Sequence, residues 1–196
     1  MTRIHSRLSL VAVPLWLSLF ACGSSDTEAK VFQANTEGGT EQSFPEFDSE
    51  LVGTDPLQLR TCSKDPTPLL ADDETTLCLF LDLDVAGLDA AGAPATLAIG
   101  GEARIDRVIS DESPAFTSAP GHSPVVTAAW ATVGCYSRVR QGPLVQQLEG
   151  RVVLEQNTRA RLAGRVVLSS KGQVTVADCG NADSASFDFL FDLARP

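Results

Sequence analysis

Apolar and polar residues alternate along much of the chain after residue 50, in runs separated by clusters of Gly, Pro, Asn and Asp. A period of two sends successive side chains to opposite faces of a strand, so each run reads as a half-buried strand. Leu77, Leu79, Leu81, Leu83 and Val85 alternate with Cys78, Phe80, Asp82 and Asp84, which predicts a solvated outer face carrying the two carboxylates. Thr96 to Ile109 forms a second run, where Gly100-Gly101 suggests a bulge that shifts the inward parity. Val125 to Tyr136 is a third, centred on Trp130, and in the last run Phe187, Phe189, Phe191 and Leu193 oppose Ser186, Asp188 and Asp192. Shorter strands are expected at 57–62 and 173–177, and no stretch sustains a helical stripe. The pattern predicts an all-β domain over residues 51–196. An antiparallel β-sandwich is the economical architecture, and a small closed β-barrel of lipocalin type is the alternative.

A short repeat lies in the middle of this domain. Leu148-Glu-Gly-Arg-Val-Val-Leu154 recurs as Leu162-Ala-Gly-Arg-Val-Val-Leu168. Fourteen residues between copies is too short for a solenoid unit, so a hairpin fits better. For both copies to face one core, even-numbered residues must pair with even, because a one-residue slip turns a strand over. A loop of Gln156-Asn157-Thr158 keeps that parity. It predicts Val152 opposite Leu162 and Gly150 opposite Gly164, with Glu155 beside Arg159 and Glu149 beside Arg165 on the outer face.

Upstream, Arg3, His5 and Arg7 precede an apolar run from Leu8 to Phe20. That run is shorter than the about 20 residues a membrane span needs, and it suits the core of a secretory signal over residues 1–21. It ends Leu19-Phe20-Ala21-Cys22 and is followed by Gly23-Ser24-Ser25-Asp26. Leu19, Ala21 and Cys22 make this segment resemble the lipobox of bacterial lipoprotein precursors, with Phe20 where a small residue is usual. The resemblance implies cleavage before Cys22, a diacylglycerol thioether on that cysteine and an exported, membrane-anchored product. Gly23 implies the outer membrane if the source is Gram-negative. Two or three acyl chains, at about 0.8 kcal/mol per buried CH₂, make a stable anchor.

Between the anchor and the domain, residues 22–50 hold seven acids and one base, Lys30, with no apolar period. They are expected to form a flexible acidic tether, although Phe44-Pro45-Glu46-Phe47 could pin its end to the domain. The whole chain has 196 residues, 15 Lys+Arg against 25 Asp+Glu, and is 43% apolar. This is the composition of a globular chain, and a pI near 4.6 argues against nucleic acid as a partner. Apart from Cys22, the cysteines are Cys62, Cys78, Cys135 and Cys179, an even set that predicts two disulfides in an exported protein. Cys62–Cys78 with Cys135–Cys179 is the favoured pairing, since the first bracket encloses only the Ser63–Leu77 loop. Loop closure of this kind stabilises by about 3 to 4 kcal/mol.

Candidate chemistry is sparse. His122, in the turn-like Ser118-Ala-Pro-Gly-His-Ser-Pro124, is the one histidine after the leader, and it reads as an exposed loop residue. No Gly-x-Ser-x-Gly elbow presents a nucleophile, and no P-loop or dinucleotide fingerprint occurs, so no catalytic residue and no cofactor is assigned. Asp82 and Asp84 open like a calcium loop with Gly87, but Ala86 and Ala93 stand at two ligand positions, so no metal site is expected. Glu102 and Asp106 on the next run read as a solvated face. The arginines Arg138, Arg140, Arg151, Arg159, Arg161 and Arg165 face only Glu149 and Glu155 along the sequence. Together they form a possible interaction patch for an acidic envelope protein or an anionic envelope polymer. These features point to a lipid-anchored, non-enzymatic binding or assembly module. A lipocalin-like carrier of a small apolar ligand is the alternative, and a hydrolase comes third.

Overall fold

The computed structural model describes residues 28–33, 40–44, 46–63, 75–105, 113–135, 144–172 and 183–196. Eleven strands and one short helix follow in chain order. They are β1 (Glu28–Gln33), β2 (Thr40–Phe44), β3 (Phe47–Val52), β4 (Leu57–Ser63), β5 (Thr75–Leu83), α1 (Val85–Ala91), β6 (Ala95–Ile105), β7 (Ala115–Ser118), β8 (Val126–Cys135), β9 (Leu144–Asn157), β10 (Arg161–Gly172) and β11 (Ser184–Ala194). Two antiparallel sheets result: a seven-stranded one in the order β2-β1-β11-β10-β9-β6-β7 and a four-stranded one in the order β3-β4-β5-β8. The architecture is the expected sandwich, without a closed barrel.

One apolar cluster fills the space between the sheets. The seven-stranded sheet supplies Leu97, Ile99, Leu148, Val152, Leu162, Val166, Phe187 and Phe189; the four-stranded sheet supplies Leu57, Leu59, Leu77, Leu79 and Leu81. Phe47 of β3 stacks on Phe189 of β11 at 6.2 Å, which ties the layers directly. A polar tie accompanies it. Gln146, fully buried on β9, accepts from the Ala131 amide at 3.0 Å and donates to the Ala131 carbonyl at 2.6 Å. Ala131 lies on β8, at the edge of the four-stranded sheet among the described residues, so the side-chain amide engages main-chain groups that no described strand pairs.

Two expectations about strand faces need correction. On β6 the inward set Leu97, Ile99, Gly101, Ala103 and Ile105 is unbroken, so Gly100-Gly101 makes no bulge. A Cβ on Gly101 would stand 2.6 Å from the Phe116 ring; the glycine gives that ring room and does not turn the strand. On β5 every residue from Leu77 to Leu83 is buried, including Cys78, Phe80 and Asp82 on the face expected to be solvated. There Phe80 stacks on Trp130 at 4.9 Å, with the Arg60 guanidinium 5.7 Å over the Phe80 ring.

The repeat does form the β9–β10 hairpin with even residues inward, but in a different register. Val152 pairs with Val166, Gly150 with Leu168, and Gly164 with Leu154. The two copies are therefore related by a local two-fold, each glycine opposite the last leucine of the other copy. The turn is centred on Arg159-Ala160, with the Thr158 amide bonded to the Arg161 carbonyl at 2.9 Å. The ladder shifts between Ala163, opposite Gln156, and Gly164, opposite Leu154. Glu155 is thus the extra residue, and this bulge restores the parity that a tight turn would break. A Cβ on Gly164 would lie 2.1 Å from the Val153 carbonyl oxygen, so the close strand approach demands glycine.

The helix α1 was not expected. Asp84 caps it, its carboxylate accepting from the Gly87 amide at 2.6 Å, and Gly92 at φ 65° ends it. Seven residues that bury only Leu88 leave no apolar stripe to read. Strands also occupy part of the segment expected as a tether. β1 pairs with β11 and with β2, and β3 pairs with β4, while Phe44 is buried. These short strands form because neighbouring strands supply the ladder. The Cys62–Cys78 disulfide joins β4 and β5 at directly opposed positions. Among the described residues no helix is long and apolar enough to cross a membrane.

Candidate functional site

The loop between β7 and β8 packs along β6 where β7 no longer does. β7 pairs with β6 only from Gly101 to Arg104. Beyond that point the Ala119 amide donates to the Gly100 carbonyl and the Ser123 amide to the Ala98 carbonyl, each at 2.8 Å. His122 supplies the bond between them: its Nδ1 accepts from the Gly100 amide at 3.1 Å, and its Nε2 lies 2.5 Å from the Val126 carbonyl oxygen. The ring packs against Phe116, with centroids 5.2 Å apart. This corrects the expectation of an exposed loop histidine. His122 is half-buried with both ring nitrogens engaged by main chain, which leaves no lone pair to activate a nucleophile in this arrangement.

Beside this loop the outer face of the seven-stranded sheet holds a recess of about 490 Å³. Small residues on β6, Ala98 and Gly100, leave the floor low, and the 119–122 loop forms one wall. Gln147, Glu149, Ser169 and Lys171 from β9 and β10 supply a polar rim. Gln147 donates to Glu102, which fixes one side of that rim. The signal in the sequence is only the run of small residues on an outward parity.

The carboxylates considered for chemistry have structural partners. Asp82, 2% exposed, accepts from Gln58 at 2.9 Å and from Ser113. Its expected place on a solvated face is wrong because Trp130 and Phe80 form a buried layer beside it. Asp84 is spent on the α1 cap. Among the described residues no group of three or more His, Cys, Asp or Glu could hold a metal ion. Asp106 lies outside the described residues.

The arginine patch divides into paired and unpaired members. Arg161 makes a bidentate contact with Asp192, and Arg165 another with Asp188 at 2.6 and 2.8 Å. The partners come from β11 on the far side of β10, so the expected pairings of Glu155 with Arg159 and Glu149 with Arg165 do not form. Hydrogen bonds from Arg161 hold the Asp192 carboxyl below the usual carboxylate range; partial desolvation opposes this and the guanidinium charge assists it. The hydrogen bond to Asp192 raises Arg161 further above an already high value, and the one to Asp188 does the same for Arg165. Arg151 and Arg159 are exposed, without an ion pair among the described residues. Arg195, not singled out in the sequence, bonds Asp89 at 2.7 Å and the Thr158 carbonyl at 3.1 Å, tying the chain end to α1 and the β9–β10 turn.

Cys22, Arg138, Arg140 and Cys179 lie outside the described residues, as does the strand expected at 173–177. Cys135 ends β8 opposite Thr75. No protein-family model, curated protein or solved structure matches this chain.

Proposed function

We propose that this chain is a lipid-anchored protein of the cell envelope whose β-sandwich serves as a non-enzymatic binding or assembly module. The observation that carries the reading is the Leu19-Phe20-Ala21-Cys22 segment at the end of a short apolar run with a basic start. An exported destination accords with the Cys62–Cys78 disulfide. Among the described residues, the histidine that a hydrolytic triad would use is committed to two main-chain partners. Arg151 and Arg159 offer unneutralised positive charge, which suits an acidic protein or anionic polymer of the envelope. The filled space between the sheets favours a surface-binding module over a carrier that encloses an apolar ligand.

The test is made in cells. Mass spectrometry of the N-terminal peptide is expected to find a diacylglyceryl group on Cys22, and the full-length protein is expected in the membrane fraction. Cys22→Ala should move it to the soluble fraction. An unmodified Cys22 thiol in membrane-associated protein would overturn the anchor.

A further inference from the structure

We propose that the 119–123 loop is an acid-released clamp on the edge of β6, with His122 as its titratable latch. The clamp stands whether or not Cys22 carries lipid. It consists of three bonds along one stretch of strand: Ser123 amide to Ala98 carbonyl, His122 Nδ1 from Gly100 amide, and Ala119 amide to Gly100 carbonyl. Only the middle one can be switched by a proton.

The backbone partners fix the form of the ring. A carbonyl oxygen only accepts, so Nε2 must carry its hydrogen toward Val126; an amide only donates, so Nδ1 must present a lone pair to Gly100. Neutral imidazole with its hydrogen on Nε2 is the one form that satisfies both. A second proton, on Nδ1, sets N–H against N–H and abolishes the bond.

Among the described residues no carboxylate bonds the ring to offset a positive charge. Toward the ring, β7 presents Phe116 and β8 presents the Val126 main chain. The charged groups lining the same recess are Glu149 on β9 and Lys171 on β10, opposite in sign. Glu102, outward on β6, is engaged by Gln147. Protonation therefore loosens the loop from β6 and exposes the Gly100 amide at a strand edge. The wall of the recess moves with it, because Ala119 to His122 form that wall.

Residue-resolved amide exchange on the purified full-length protein tests this, with protection corrected for the intrinsic effect of pH. On acidification from neutral pH Gly100 is expected to lose about ten- to a hundredfold in protection, as a part-buried donor that loses its acceptor should. Ala119 and Ser123 should lose less, and Val152 and Val166 in the core should hold. His122→Asn places an amide oxygen in reach of the Gly100 N–H and does not titrate, so its Gly100 protection should be flat with pH. Constant protection of Gly100 in the wild-type protein overturns the clamp, and so does a loss shared equally by Val152 and Val166. Should the asparagine variant not fold, ¹⁵N shifts of the wild-type ring decide: hydrogen on Nε2 at neutral pH supports the latch, hydrogen on Nδ1 refutes it.

Discussion

The two sheets of this sandwich treat their outer faces differently. In the seven-stranded sheet β9 alternates cleanly, with Leu144, Gln146 and Leu148 buried and Val145, Gln147 and Glu149 exposed. In the four-stranded sheet β5 is buried on both faces, with Phe80 and Asp82 buried on the side opposite Leu77, Leu79 and Leu81 and Phe80 paired with Trp130. Both strands show the same period in sequence. Periodicity therefore tells which side chains share a face, and it does not tell whether the second face meets water.

Substitutions at matched places on the two outer faces measure that difference. The largest effect is expected for Trp130→Ala, which removes a ring 1% exposed and stacked on Phe80. It should cost about 3–5 kcal/mol in urea unfolding. Leu190→Ala, on the outer face of the seven-stranded sheet and 44% exposed, should stay within about 0.5 kcal/mol. Equal costs would erase the contrast.

Asp82→Ala comes next. It strips a buried carboxylate from Gln58 and Ser113 and should cost about 2–3 kcal/mol. A double-mutant cycle with Gln58→Ala should show coupling between the two, and additivity would mean that the buried bond contributes nothing.

The smallest effect belongs to the exposed Arg161–Asp192 pair, where the sign with pH is informative. The Asp192 carboxyl titrates lower in the folded chain than in the unfolded one. Its contribution is therefore present above the ordinary carboxylate range and is lost as pH falls through the lowered folded value. The stability difference between wild type and Asp192→Asn should be greatest near neutral pH and vanish in acid, and should also shrink with added salt.

Much of the architecture was legible. The sandwich, the inward phenylalanines of β11, the Cys62–Cys78 bridge and the even-residue parity of the hairpin all follow from spacing. The hairpin register did not, because parity fixes the face and a bulge at Glu155 can satisfy it with a different turn. The arginine partners were missed for a related reason: β10 has two neighbours, β9 and β11, and the repeat reveals its pairing with β9 alone. The strands between residues 28 and 52 escaped because each is short and gains its face from a sheet assembled by distant residues. The recess beside His122 arises from small side chains and a loop crossing, a combination without a motif.

Gln146 has one more consequence. Oily surfaces attract without direction, so two layers joined by leucines alone are free to settle in several offsets. A side-chain amide that grips both polar groups of Ala131 fits at one offset only. It works as a dowel, fixing how far one layer stands along the other, and sliding by a single residue would strand its donor and its acceptor together in a dry interior.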